Sequence, residues 1–380
     1  MTTEYDVIVL GAGPTGENLA GRTRAAGLST VVIERELVGG ECSYWACMPS
    51  KALLRPPAAL AAARAVAGSR EAAAGELDAT AVLARRDGFA SHWKDDGQVA
   101  WLDGIGAELV RGWGRLDGER RVLVSTVDGG ELRLTARHAV AVCTGSKAAV
   151  PELPGLADAR PWTSREATSS RTVPARLVVV GGGVVGVEMA TAWRALGSRV
   201  TLLVRGSGLL PRMEPFAGEL VTAGLRAAGV EVRFGTGVTA VRRDGPEVTV
   251  ELTEGMGAPP AEGWGTLVAE EVLFATGRAP RTEHLGLGSV GLRDGDWLEV
   301  DETCLVKGVP GEWLYAAGDV NHRALMTHQG KYQGRMAGAA IGARAQGRPV
   351  AAEPWGAHAA TADRVAVPQV VFTEPEVAAV

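Results

Sequence analysis

The chain has 380 residues, room for two or three domains and a sizeable core, and its 46% hydrophobic and 22% charged residues are ordinary for a folded soluble protein. With 39 Lys+Arg against 44 Asp+Glu the formal charge is −5, so there is no basic surplus to track a phosphate backbone, and a nucleic-acid partner is not expected. No apolar run approaches the roughly 20 residues that a membrane span needs, so insertion is not expected either.

The first residues, MTTEYDVIVLGAG, carry acids where a secretory leader would carry positive charge, so a cytoplasmic protein is expected. From residue 6 onward the chain reads as an apolar strand, a turn containing Gly11, Gly13 and Gly16, a helix closing at Gly27 and a second apolar strand ending in VVIE. The pattern returns once. Residues 176–205 align with 6–35 without a gap, at an offset of 170, with Gly181, Gly183 and Gly186 in the turn and Gly197 closing the helix. Each copy is a βαβ unit whose turn fits G-x-G-x-x-G. One such match is weak, but two in matched context are strong. Glycine permits the tight turn and lets the backbone approach a pyrophosphate seated on the following helix N-terminus, so two bound dinucleotides are expected.

In the first copy Glu34 stands 18 residues after Gly16, at the end of the second strand, where an acid accepts hydrogen bonds from a ribose. That suits an adenine dinucleotide without a 2′-phosphate; the plainer alternative is a solvated acid at a strand end. Just downstream stands GGECSYWACMPSK, with Cys42 and Cys47. In an ideal helix residues five apart have Cα atoms about 8.6 Å distant, beyond the roughly 7 Å limit for a disulfide. The pair can bridge only where the helix start is distorted. Gly39 and Gly40 loosen that start, and Pro49 removes a backbone donor just after it. A strained bridge is easily reduced and suits catalysis better than scaffolding. Zinc is the competing use, but it needs two further ligands, and Cys143 and Cys304 lie far along the chain in apolar contexts that read as buried thiols. No metal is expected.

Alanine-rich helical stretches follow at 58–67 and 71–86, then strands near 107–111, 121–126 and 131–135 and the apolar run HAVAVCTG. Residues 151–175 read as a connector. Past the second glycine-rich turn, Val204 and Arg205 stand where the first copy has Glu34 and Arg35. The acid that would bond a free 2′-hydroxyl is gone, while Arg205 and Arg212 can meet a 2′-phosphate, which favours NADPH over NADH; the alternative is two ordinary surface arginines. Strands near 229–234, 247–252 and 266–274 come next, interrupted by the Gly/Pro-rich loop EGMGAPPAEGWG, and the unit closes at FATGRAP. A segment carrying LYAAGDV and a final stretch to Val380 complete the chain.

Taken together these motifs resemble the flavoprotein disulfide reductases of pyridine nucleotides, the family of glutathione reductase, dihydrolipoamide dehydrogenase and mercuric reductase, over essentially all of the chain. The family's redox motif, GG-x-C-x4-C-x-P-S-K, is matched at Gly39, Gly40, Cys42, Cys47, Pro49, Ser50 and Lys51. Thr144 with Gly145, and Thr276 with Gly277 and Arg278, match its two T-G signatures. Gly318 and Asp319 match the acid that holds the flavin ribityl chain, and Thr327 and His328 resemble the segment whose backbone faces the flavin pyrimidine ring.

The resemblance implies an α/β fold with two Rossmann-type domains on parallel sheets. An FAD-binding domain spans 1–150 and resumes over 280–350, an NAD(P)-binding domain spans 151–279, and 351–380 opens a truncated α+β dimerisation domain whose remainder, with a His/Glu pair that protonates the leaving thiol, is absent. His358 does not sit in the matching motif. A homodimer is expected at full length. The implied function is a relay from NADPH through FAD to the Cys42–Cys47 disulfide and on to a small-molecule or protein disulfide. In it Cys47 is the flavin-facing thiolate, Cys42 exchanges with substrate, and Lys51, with Glu188 as its partner, favours both reduced flavin and thiolate. Tyr44 and Trp45 are bulkier than the family's usual residues between the cysteines, and the acceptor is not legible. Two rival functions remain, a quinone or oxygen reductase with a spectator disulfide and a redox-sensing flavoprotein that barely turns over.

Overall fold

The computed structural model describes residues 3–254 and 265–380, so most of the Gly/Pro-rich loop lies outside the described residues. The chain divides into two compact units. Unit 1 comprises Met1–Cys42, Trp93–Lys147 and Ala279–Val367, and unit 2 comprises Ser43–His92, Ala148–Arg278 and Pro368–Val380.

Unit 1 is built on a parallel sheet. Strand Glu4–Leu10 pairs with Thr30–Glu34 on one side, Val7 opposite Thr30, and with the end of Glu131–Val142 on the other, Val7 opposite Ala139. Leu314–Ala316 and the start of Glu108–Leu116 extend it on its two flanks. Val7, Ile8, Val9, Val31 and Val32 are all fully buried, as continuous β-branched runs require in a sheet covered on both faces. The far halves of the two long strands join Arg121–Thr126 in an antiparallel meander. On one face the helix Pro14–Ala25 packs against Thr327–Ala345. Gly330, Gly334, Gly338 and Gly342, spaced by four, make that approach possible: a Cβ at Gly334 would lie 2.5 Å from the Thr15 carbonyl oxygen. Part of the glycine enrichment therefore serves helix packing rather than phosphate turns.

Unit 2 carries a four-stranded parallel sheet in the order Glu271–Phe274, Arg176–Val180, Arg199–Leu203, Glu231–Arg233. A separate antiparallel sheet joins Thr236–Asp244, Glu247–Glu254 and Thr266–Ala269. The single strand expected over 266–274 is thus two, belonging to different sheets and separated by Glu270, whose carboxylate takes the Arg176 guanidinium and backbone N–H. The repeat survives in three dimensions, since helices Pro14–Ala25 and Val184–Ala195 have equal length and begin 170 residues apart.

One helix runs against its local sequence. Cys47–Ala65 contains Pro56 and Pro57 inside it, where the alanine-rich pattern alone begins later. Pro56 has no N–H to give the Ala52 carbonyl, and Arg85 Nη1 donates to that oxygen instead, at 2.8 Å. Burial of Leu53 and Leu54 in the unit 2 core holds the segment helical.

Candidate active site

Both glycine-rich turns are closed so tightly that only glycine fits. Gly11 has φ +100° and a Cβ there would meet the Cys143 carbonyl oxygen at 2.5 Å, while one at Gly16 would lie 2.0 Å from the Gly11 oxygen. In the second copy Gly181 has φ +118°, and a Cβ at Gly186 would lie 1.9 Å from the Gly181 oxygen. Gly13 and Gly183 are the extended residues that precede the two helices, neither supplying a side-chain cap, so the first N–H groups of each helix are presented to a ligand.

The two copies differ where the second strand ends. Glu34 is nearly buried and accepts from the Ala12 N–H through Oε2 and from the Glu36 N–H through Oε1, each at 2.8 Å. Both oxygens keep a lone pair for a ribose hydroxyl. At the matched place Gly182 faces the Val204 methyls, which offer no acceptor. Beyond them Arg205 lines a cleft of about 1770 Å³ within unit 2, together with Gly181, Gly183, Leu209, Thr276 and Gly277. Arg212 is exposed and lies outside that lining. Arg226, which the sequence did not single out, lines it with its guanidinium 5.6 Å from the Phe234 ring centroid.

The redox motif begins on the first turn itself. Gly40, at φ +58°, sits so close to Gly13 that a Cβ would come within 2.9 Å of the Gly13 Cα. A short helix, Gly40–Tyr44, ends before Ala46 takes the non-helical angles φ −138° and ψ −97°, and a new helix starts at Cys47. The backbone is therefore broken between the two cysteines, the distortion that a bridge across five residues demands. Trp45 is fixed there by its carbonyl, which accepts from Thr168 Oγ1 at 3.0 Å, and by the Arg165 guanidinium 4.1 Å over its ring. Cys143 and Cys304 are buried, and burial pushes both thiols up, Cys143 to about 12, which leaves them protonated and inert at neutral pH.

Lys51 lies one turn past Cys47 and donates to Glu188 Oε2 at 2.7 Å. Glu188 is 5% exposed and Lys51 40%, so the carboxylate is the desolvated partner. Phe372 completes the group: its N–H donates to the other Glu188 oxygen at 3.1 Å, and its ring lies 4.9 Å from the Lys51 ammonium. No sequence signal pointed to Phe372.

In unit 1 the Thr144 hydroxyl oxygen is buried with no hydrogen-bond partner among the described residues, a polar atom awaiting a ligand. Gly145 accepts from the Arg281 N–H, and Ser146 Oγ donates to Asp319 Oδ2 at 2.5 Å. Gly318 gives its N–H to Gln333 at 2.7 Å. Thr327 and His328 open the helix Thr327–Ala345, with His328 exposed. In unit 2 Thr276 Oγ1 donates to the Ala149 carbonyl at 2.7 Å, Gly277 has φ +143°, and Arg278 starts a short strand. The Gly11–Gly16 turn, the two-sided Glu34 and the orphaned Thr144 hydroxyl fit an adenine dinucleotide on unit 1. The open Gly183 turn and the Arg205 cleft fit a second one on unit 2.

Comparison with known proteins gives one consistent result. Residues 5–339 match the family described as pyridine nucleotide-disulphide oxidoreductase. Dihydrolipoyl dehydrogenase 3 of Pseudomonas aeruginosa is 35% identical over 397 residues, an alignment covering 100% of this chain and 77% of that protein. Mercuric reductase of Acidithiobacillus ferrooxidans is 34% identical over 381 residues, covering 99% of this chain and 64% of that one. Among solved structures, the Cu(II) complex of the HOCl-induced flavoprotein disulfide reductase RclA from Escherichia coli has the same fold, with a TM-score of 0.80 at 21% identity, covering 99% of this chain and 77% of that one.

Proposed function

The chain belongs to the pyridine nucleotide-disulphide oxidoreductase family, and from that premise we propose that it takes hydride from NADPH and reduces a disulfide through Cys42 and Cys47. The observation that carries this is the seat of Gly40 on Gly13, which starts the two-cysteine motif directly on a dinucleotide-binding turn. When bound, FAD and the nicotinamide supply the two-electron transfer that opens the Cys42–Cys47 bridge. The residues of the chain do the rest. The Cys42 thiolate attacks one sulfur of the acceptor disulfide and releases its partner as a thiolate, which takes up a proton. Cys47, as thiolate, then displaces the second sulfur and restores the bridge, so two electrons leave the cysteine pair and two acceptor thiols result.

The same reading assigns positioning roles to the residues of the site. Gly11, Gly13 and Gly16 would take the pyrophosphate of FAD and Glu34 its ribose, Asp319 with Gly318 and Ser146 would hold the ribityl chain, and Thr144 with Gly145, Thr327 and His328 would contact the flavin. Lys51 places a positive charge one turn from Cys47, and Glu188 fixes it there. Gly181, Gly183, Gly186, Gly277 and Arg278 serve the nicotinamide dinucleotide, with Arg205 on its 2′-phosphate. Arg212, exposed between the cleft residues Pro211 and Met213, is the second candidate for that phosphate. These roles make unit 1 the FAD-binding part and 148–278 the NAD(P)-binding part.

Disulfide-dependent oxidation of NADPH and of NADH, compared between wild type and Arg205→Ala, tests the proposal. A charge-assisted hydrogen bond is worth roughly 1.5 to 3 kcal/mol, so KM for NADPH should rise about ten- to a hundredfold while that for NADH stays near wild type. Equal losses with both cofactors would make Arg205 a general electrostatic residue. Wild-type enzyme whose NADPH oxidation no disulfide accelerates would contradict the function itself.

A further inference from the structure

The turn that carries Asp319 is held by one buried side chain. Gly318 has φ +82° and packs on the first glycine-rich turn, where a Cβ would lie 2.6 Å from Thr15 Oγ1. Its N–H donates to Gln333 Oε1 at 2.7 Å, and Asn321 Nδ2 donates to the same oxygen at 2.8 Å. Gln333 is fully buried on the helix Thr327–Ala345, and the other end of its amide, Nε2, donates to Asp363 Oδ2 at 2.7 Å. Asp363 is buried too, and its second oxygen accepts from Arg323 Nη2 at 2.8 Å. Arg323 is held in turn by Glu302 Oε2 and by the Asp301 and Ala360 carbonyls. Every one of these residues lies in unit 1.

Hydrogen-bond polarity runs through this chain of contacts in one direction. Gly318 N–H and Asn321 Nδ2 can only donate, so Gln333 turns its oxygen to them and its NH2 group away. Arg323 can only donate as well, so Asp363 faces a donor on either side, and a carboxylate has an acceptor for each. Burial pushes the Asp363 carboxyl up, while Arg323 and Gln333 oppose it. Were the Gln333 amide to turn round, it would set an NH2 group against two buried donors. We propose that Gln333 and Asp363 are positioning residues for FAD: the Asp363 carboxylate orients the Gln333 amide, and the amide oxygen holds the Gly318–Asp319 turn against Thr15 of the pyrophosphate turn. The proposal rests on Asp319 holding the flavin.

The dissociation constant of FAD, read from flavin fluorescence on dilution of the holoprotein, tests it by exchanging the two groups. Gln333→Glu sets two carboxylates face to face, and Asp363→Asn sets an NH2 group against a donor. Each should weaken FAD binding about tenfold, the scale of an opposed or stranded buried polar group. Gln333→Glu/Asp363→Asn moves the charge across the contact and restores every match: the new carboxylate accepts from Gly318, Asn321 and the new amide, whose oxygen still takes Arg323. Its affinity should return to within about threefold of wild type. A role in the fold alone predicts single variants that melt earlier yet bind FAD as wild type does; that result, or a double variant no tighter than the weaker single one, overturns the proposal. Should Asp363→Asn not fold, Gln333→Met decides, since it removes the oxygen and leaves Asp363 with Arg323; unchanged FAD affinity there overturns the proposal equally. Asp319→Ala separates the two levels. Wild-type affinity in that variant would remove the assignment of Asp319 and the proposal with it, whereas loss of FAD from Asp319→Ala but not from Gln333→Met would overturn the proposal alone.

Discussion

Cys42→Ser is expected to abolish disulfide reduction, with a loss of more than about 10³-fold, because a hydroxyl cannot replace the thiolate that attacks the acceptor sulfur. NADPH oxidation with a quinone acceptor should stay near the wild-type rate, since no thiol exchange is involved. The contrast is what makes the variant informative. If the natural acceptor were a quinone or oxygen and the cysteines bystanders, wild type would show little disulfide activity for the substitution to remove. If the chain were a slow redox sensor, turnover would be negligible with every acceptor before and after the change.

Gly16→Ala and Gly186→Ala should have large and crossed effects. In each, the added methyl falls about 2 Å from a carbonyl oxygen, at 2.0 Å from Gly11 and 1.9 Å from Gly181, so the turn must open. Overpacking of this kind costs about 1 to 3 kcal/mol, or up to roughly a hundredfold in affinity where it falls on the binding-competent turn. Gly16→Ala should lose FAD on gel filtration, while Gly186→Ala should keep its FAD and raise KM for NADPH. Both variants losing the same cofactor, measured by bound flavin absorbance and by NADPH saturation, would show that the two turns have been assigned wrongly.

Much of the molecule is legible in its sequence because the chemistry is local there. The offset of 170 reappears as two helices of equal length on two parallel sheets, and the glycines at 16 and 186 are fixed by the carbonyls of Gly11 and Gly181 in the same turns. The break between Cys42 and Cys47 is the condition that disulfide reach and helix rise set on a bridge between them. What escaped depends on packing between distant segments. Helix Cys47–Ala65 tolerates Pro56 because Arg85 serves the stranded carbonyl, which no propensity foretells. Strand Thr236–Asp244 lacks a clean alternation, and its partner supplies the order. Glu41 with Arg281, and Glu188 with Phe372, are met only once the chain has folded.

Electrons from NADPH must enter the cysteine pair, and anaerobic titration with NADPH reads this directly. Wild type should develop a long-wavelength charge-transfer band from the Cys47 thiolate against oxidised flavin as the bridge opens; Cys42→Ser, which cannot form the bridge, should show that band before any NADPH is added, and Cys47→Ser should show none. A band that persists in Cys47→Ser, or wild-type enzyme that bleaches its flavin without gaining two titratable thiols, would contradict it.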